Sequence, residues 1–117
     1  MLLAQCQTIY KSGNASKNRA ELQKAIDFCK LSDQLESSSD AKFLTGVSAF
    51  VIGQSAVTEA QTTKSCALAR QAKDAFATAQ ENVPAGLQSY PEPAKQVLTA
   101  IPQYTPATDE MVKRYCK

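Results

Sequence analysis

Four cysteines, Cys6, Cys29, Cys66 and Cys116, fall one in each of four well-separated segments of the chain. A zinc knuckle or a thioredoxin-type redox pair needs two cysteines two residues apart, and no such pair is present. Cysteine nucleophiles usually work with a histidine base, and the chain has no histidine. Two readings remain. The four are buried free thiols in a cytoplasmic protein, or they form two disulfides in a periplasmic or secreted one. An even count in a short chain favours disulfides. Of the three pairings that four cysteines allow, the spacing favours Cys6–Cys29 with Cys66–Cys116. Cys6 and Cys29 flank Ser12-Gly13-Asn14-Ala15-Ser16, a turn-like stretch between two apolar periodic segments. Bridges closing loops of these lengths contribute roughly 3–4 kcal/mol each.

A chain of 117 residues suits one domain spanning 1–117 and buries roughly two thirds of its unfolded surface. The 13 basic and 11 acidic side chains are scattered, and the net charge is +2. Binding to nucleic acid needs a clustered basic footprint, so nucleic acid is not an expected partner. No uninterrupted apolar run exceeds four residues, as in Ala49-Phe50-Val51-Ile52, far short of the ~20 residues of a spanning helix, so membrane insertion is not expected. Met1-Leu2-Leu3 has no basic flank, and Gln5 and Gln7 follow at once. The start reads as that of a domain, expressed alone or cut from a longer precursor.

The periodicity is helical throughout, with no strand pattern. A first helix over about Leu2 to Lys11 is expected to end at Gly13-Asn14. A second begins at Asn18, whose side chain can cap it, with Glu21 three residues on. Leu22, Ala25, Ile26 and Cys29 form its stripe, and Phe28, Leu31 and Leu35 widen it. Ser37-Ser38-Ser39-Asp40 stops this helix and caps the next. The third helix, about Asp40 to Gln61, is apolar around much of its circumference and is expected to be central and most buried. Gly46, Ala49, Gly53, Ala56 and Ala60 recur along it at three and four residues, a stripe on which a neighbouring backbone can approach closely. A fourth helix runs from about Lys64 to Asn82, with Arg70 and Asp74 an expected exposed pair. Pro84 and Gly86 terminate it. A short helix opened by Pro93 and ended by Pro102, then a last one opened by Thr105-Pro106, complete the reading.

Ala72, Phe76, Ala79 and Pro84 follow the order seen in the second helix of a tetratricopeptide repeat, and Gly53 fits the small residue of its first. Helices three and four therefore resemble a degenerate tetratricopeptide-like hairpin, over about 40 residues and without a second copy at that repeat's period. A generic bundle with alanine-rich packing accounts for the same residues. The expected fold is all-α, a five- to six-helix antiparallel bundle of helical hairpins, tetratricopeptide-like and disulfide-stapled. Such domains bind partners on the concave face of their first helices, which the resemblance places at Gln54 and Thr58.

No phosphate loop, nucleophile elbow or metal-ligand spacing appears, so no catalytic residue, metal or cofactor is expected. The carboxylates fall mostly on exposed faces or helix starts, where solvation and capping explain them. The function expected is therefore non-enzymatic: a protein- or peptide-interaction module in an oxidising compartment. The alternatives are a carrier of a small apolar ligand and a toxin-neutralising immunity or inhibitor protein.

Overall fold

The computed structural model describes residues 2–117 and contains α1 (Leu2–Ser16), α2 (Arg19–Leu35), α3 (Ser39–Thr63), α4 (Cys66–Asn82), a 3-10 turn (Val83–Gly86) and α5 (Pro91–Tyr115). Among the described residues there is no strand, and the helices form an all-α bundle held by two disulfides. The molecule measures 43 × 25 × 23 Å. Since a 25-residue helix is about 37 Å long, α3 and α5 each run nearly its whole length.

Three helix starts are set by local chemistry. Asn18 Oδ1 accepts from the Glu21 N–H at the start of α2, Ser38 Oγ from Ala41 before α3, and Ser65 Oγ from Leu68 before α4. The reversals between helices use lysines. Lys17 has φ 55°, and Asn18 donates its N–H back to the Gly13 carbonyl, the Schellman closure of α1. Lys64 at φ 59° ends α3, so α4 starts at Cys66 rather than at Lys64 as expected.

Gly13 does not end α1, contrary to expectation. The helix runs three residues further, and Gly13 is buried where α2 crosses it, so close that a Cβ there would lie 3.0 Å from Leu22 Cγ. A glycine that reads as a stop is here a point of close approach. The tail differs in a similar way. One helix, α5, spans both Pro102 and Pro106. Each proline removes an amide donor at a cost of about 3 kcal/mol in a helix interior. However, both face solvent, where water can serve the freed carbonyls. The inward residues Ala94, Val97, Leu98, Ile101, Tyr104, Thr108 and Met111 keep helical spacing straight through them. Continuous burial of that face outweighs two local breaks.

The core is organised around α3, which packs against all four other α-helices and the 3-10 turn. Its five small residues are all buried. At Gly46 the approach is by backbone, since a Cβ would lie 2.7 Å from Val83 N, whereas at Gly53 the Phe76 ring occupies the space at 2.8 Å. Phe76 stacks on Tyr104 of α5 at 4.7 Å, and Phe50 meets both rings edge-on, so three helices share one aromatic cluster. Tyr90 lids Phe43 at 4.8 Å. Leu22, Ala25, Ile26 and Cys29 are buried as expected, but Leu31 and Leu35 are 44% and 72% exposed and do not widen that stripe into the core.

Both bridges have the pairing the spacing favours. Cys6–Cys29 joins α1 to α2 with Cα atoms 5.1 Å apart, and Cys66–Cys116 joins the start of α4 to the end of α5 at 4.8 Å.

At the α2–α3 corner Asp33 Oδ1 accepts from the Ser38 N–H at 2.8 Å and from Lys42 Nζ at 2.9 Å. These bonds, the backbone one first, hold its carboxyl below the ordinary value of 3.8. A depressed carboxyl contributes stability above its unfolded value and loses it as pH falls through the lower folded one. Asp33→Asn is therefore expected to lower stability by about 1 kcal/mol at pH 7 and to leave wild type and variant equal well below pH 3. Urea midpoints from pH 7 to pH 2 measure this, and a gap independent of pH would refute it.

Candidate functional site

Helices α2 and α4 both pack on α3, and no Cα of one comes within 8 Å of a Cα of the other. Each runs antiparallel to α3 through a short connection, so the two lie side by side in the same direction with a gap between them. That gap is an open groove of about 790 Å³. Ile26, Ala49, Ile52 and Ala75 supply its apolar floor. Gln23 and Lys30 stand on the α2 wall, and Arg70, Gln71, Asp74 and Thr78 on the α4 wall.

The wall charges are uncommitted. Arg70 and Asp74, expected to pair along α4, form no ion pair among the described residues, and neither does Lys30. The ion pairs among the described residues lie elsewhere: Arg19–Glu59, Asp33–Lys42, Lys73–Asp109 and Glu110–Arg114. Arg70 falls early in α4, toward the α3–α4 connection, and Lys30 late in α2, toward the α2–α3 connection. The two cations therefore mark opposite ends of the groove, with Asp74 between them.

Gln54 and Thr58 fall on a different surface. With Lys17, Arg19, Val51 and Ser55 they line an open depression of about 670 Å³. Its polar groups are mostly engaged within the molecule. Gln54 Nε2 donates to the Tyr104 hydroxyl at 3.2 Å, and Thr58 Oγ1 donates to the Gln54 carbonyl at 3.1 Å. Arg19 donates to Ser55 Oγ at 2.9 Å and is paired with Glu59. Thr62 and Thr63 likewise bond back to carbonyls four residues earlier.

The groups with shifted acidity line neither surface. Burial raises Tyr10, the Asp40 carboxylate beside its hydroxyl raises Tyr90, and Asp33 is lowered at its corner. No cluster of three or more metal-ligating side chains occurs among the described residues. No helix among them is long and apolar enough to cross a membrane. The α2–α4 groove escaped the sequence reading because Ile26, Ala49 and Ile52 carry the same signal as core residues. Only the separation of the α2 and α4 backbones exposes them as a floor. Compared with protein-family models, curated proteins and solved structures, the chain gives no significant match to any of the three.

Proposed function

We propose that this chain is a non-enzymatic interaction module of an oxidising compartment, periplasmic or extracellular, that binds an amphipathic helix of a partner protein in the α2–α4 groove. The observation that carries the reading is the groove itself: an apolar floor between two parallel helix walls that present unpaired charges at both ends. A helix laid between α2 and α4 would complete the packing on α3, with apolar residues at i, i+3, i+4 and i+7 on the floor. The charge pattern selects its chemistry. Lys30 and Arg70 favour acidic residues near both ends of the ligand, and Asp74 favours one basic residue between them. The tetratricopeptide-like resemblance belongs to the same proposal, although it would direct a ligand to Gln54 and Thr58. The groove is preferred because its charged groups, Lys30, Arg70 and Asp74, have no ion-pair partner among the described residues, while Gln54 and Thr58 are engaged.

The two disulfides support the compartment, since such bridges persist where thiols are not kept reduced. The carrier reading is weaker, because the described depressions open to solvent rather than enclosing a ligand. A toxin-neutralising inhibitor would be one instance of the proposed class.

Selection from a displayed library of helical peptides with randomised faces tests the proposal. Enriched sequences should combine an apolar helical stripe with Asp or Glu near both ends, and bind with micromolar affinity. Lys30→Glu combined with Arg70→Glu should weaken them at least tenfold, by loss of two charge contacts at about 0.5–1 kcal/mol or more each and their replacement by repulsion. Failure to enrich any helical sequence, or indifference of the enriched ones to the double reversal, would overturn it.

A further inference from the structure

The two disulfides occupy opposite chemical environments. Cys6 and Cys29 are both 0% exposed, sealed between α1 and α2. Cys66 and Cys116 are both part-exposed, and Cys66 lines the solvent-open α2–α4 groove. Attack on a disulfide needs a thiolate in line with the S–S bond, so an approaching thiol can reach the second bridge without unfolding and the first only through opening of the hairpin.

The second bridge is also polarised by the helices it joins. Cys66 is the first residue of α4, a 17-residue helix, where unpaired backbone N–H groups and the positive end of the helix dipole favour a thiolate. Cys116 is the C-cap of α5, a 25-residue helix, where the negative end of the dipole opposes one. The sulfur that leaves most readily as thiolate is therefore that of Cys66.

We infer that Cys66–Cys116 is a thiol–disulfide exchange site for a small thiolate, while Cys6–Cys29 is a purely structural bridge. The incoming thiolate bonds to Cys116 Sγ, the Cys66–Cys116 bond breaks, and its electron pair departs on Cys66 as a thiolate. A second small thiolate attacking the sulfur carried by Cys116 releases a small-molecule disulfide and leaves two protein thiols. Two electrons are supplied by the two small thiols, which are oxidised to their disulfide. The fold should survive the step, because α5 remains held by the Phe76–Tyr104 stack and the buried Ile101 and Met111, and Cys6–Cys29 still ties α1 to α2. The inference does not depend on any peptide occupying the groove.

Reduced glutathione is the probe. The oxidised protein is incubated with it under native conditions, quenched in acid, alkylated and mapped by mass spectrometry, with far-ultraviolet circular dichroism followed in parallel. The expected result is opening of Cys66–Cys116 at least tenfold faster than Cys6–Cys29, with helicity retained. In the mixed disulfide, glutathione should sit on Cys116 and the alkyl label on Cys66 by a margin of at least tenfold. A Cys6→Ala/Cys29→Ala variant should exchange at Cys66–Cys116 at the same rate, as a local reaction requires. Equal opening of the two bridges, glutathione predominantly on Cys66, or opening only in step with loss of helicity would each overturn the inference.

Discussion

Deleting both disulfides is expected to lower the unfolding free energy by about 7 kcal/mol and to bring the chain to the edge of folding at 25 °C. Cys6 and Cys29 are separated by 23 positions and Cys66 and Cys116 by 50. The chain-entropy relation gives about 3 kcal/mol for the first loop and about 4 for the second. The loops share no residue and neither lies inside the other, so the two contributions should add. A domain of this size has roughly 5–15 kcal/mol in all, which makes the pair a large share of its stability. Alanine suits positions 6 and 29, because a serine hydroxyl there would be buried without a partner. Serine suits Cys66 and Cys116, which are reached by solvent. Urea titration of Cys6→Ala/Cys29→Ala, of Cys66→Ser/Cys116→Ser and of the fourfold variant measures each term. The variant lacking Cys66–Cys116 should lose more than the one lacking Cys6–Cys29. Losses below about 1 kcal/mol for either pair would contradict the entropic account.

How much of this fold is legible in the residues depends on the range of the interaction. Caps are local: Asn18 with Glu21, and Ser38 before α3, are readable because the hydroxyl or amide and the N–H it serves are three residues apart. The centrality of α3 is also readable, since apolar and small residues all round a helix leave it nowhere to sit except inside. Gly13, Pro102 and Pro106 mislead because their local preference is for ending a helix, while the force that decides is burial against another element. Leu31 and Leu35 mislead in the opposite sense, being apolar without a neighbour to cover them. At the site the limit is sharper. Gln54 is spoken for by Tyr104, fifty residues away, and Arg70 is left free by the geometry of α4, neither of which spacing along the chain can report. The groove is the space left between the α2 and α4 backbones, and no local pattern encodes that space.

Gly46→Ala is expected to destabilise the protein by about 2 kcal/mol, although alanine is the better helix former. The substitution gains about 1 kcal/mol of helix propensity, because glycine gives up more backbone freedom on folding. Against that, the new Cβ would lie 2.7 Å from Val83 N, 2.6 Å from Val83 Cγ2 and 3.1 Å from the Asn82 carbonyl carbon. Two of these atoms belong to backbone. A side chain could rotate away, but relief here requires α3 to withdraw from the turn over Val83–Gly86, which it meets a second time where Gly86 lies close against the Phe43 ring. Overpacking of this kind costs about 1–3 kcal/mol when side chains can adjust, and the upper end applies where backbone must move. Gly13→Ala separates the two effects. Its Cβ would meet Leu22 at 3.0–3.2 Å, a contact that a small shift of α1 can relieve, so propensity and crowding should nearly cancel. Denaturant midpoints of the two variants should differ by about 2 kcal/mol in favour of Gly13→Ala. A Gly46→Ala protein more stable than wild type would mean that α3 and the turn have room to separate. The small-residue stripe would then be a matter of composition rather than of close packing.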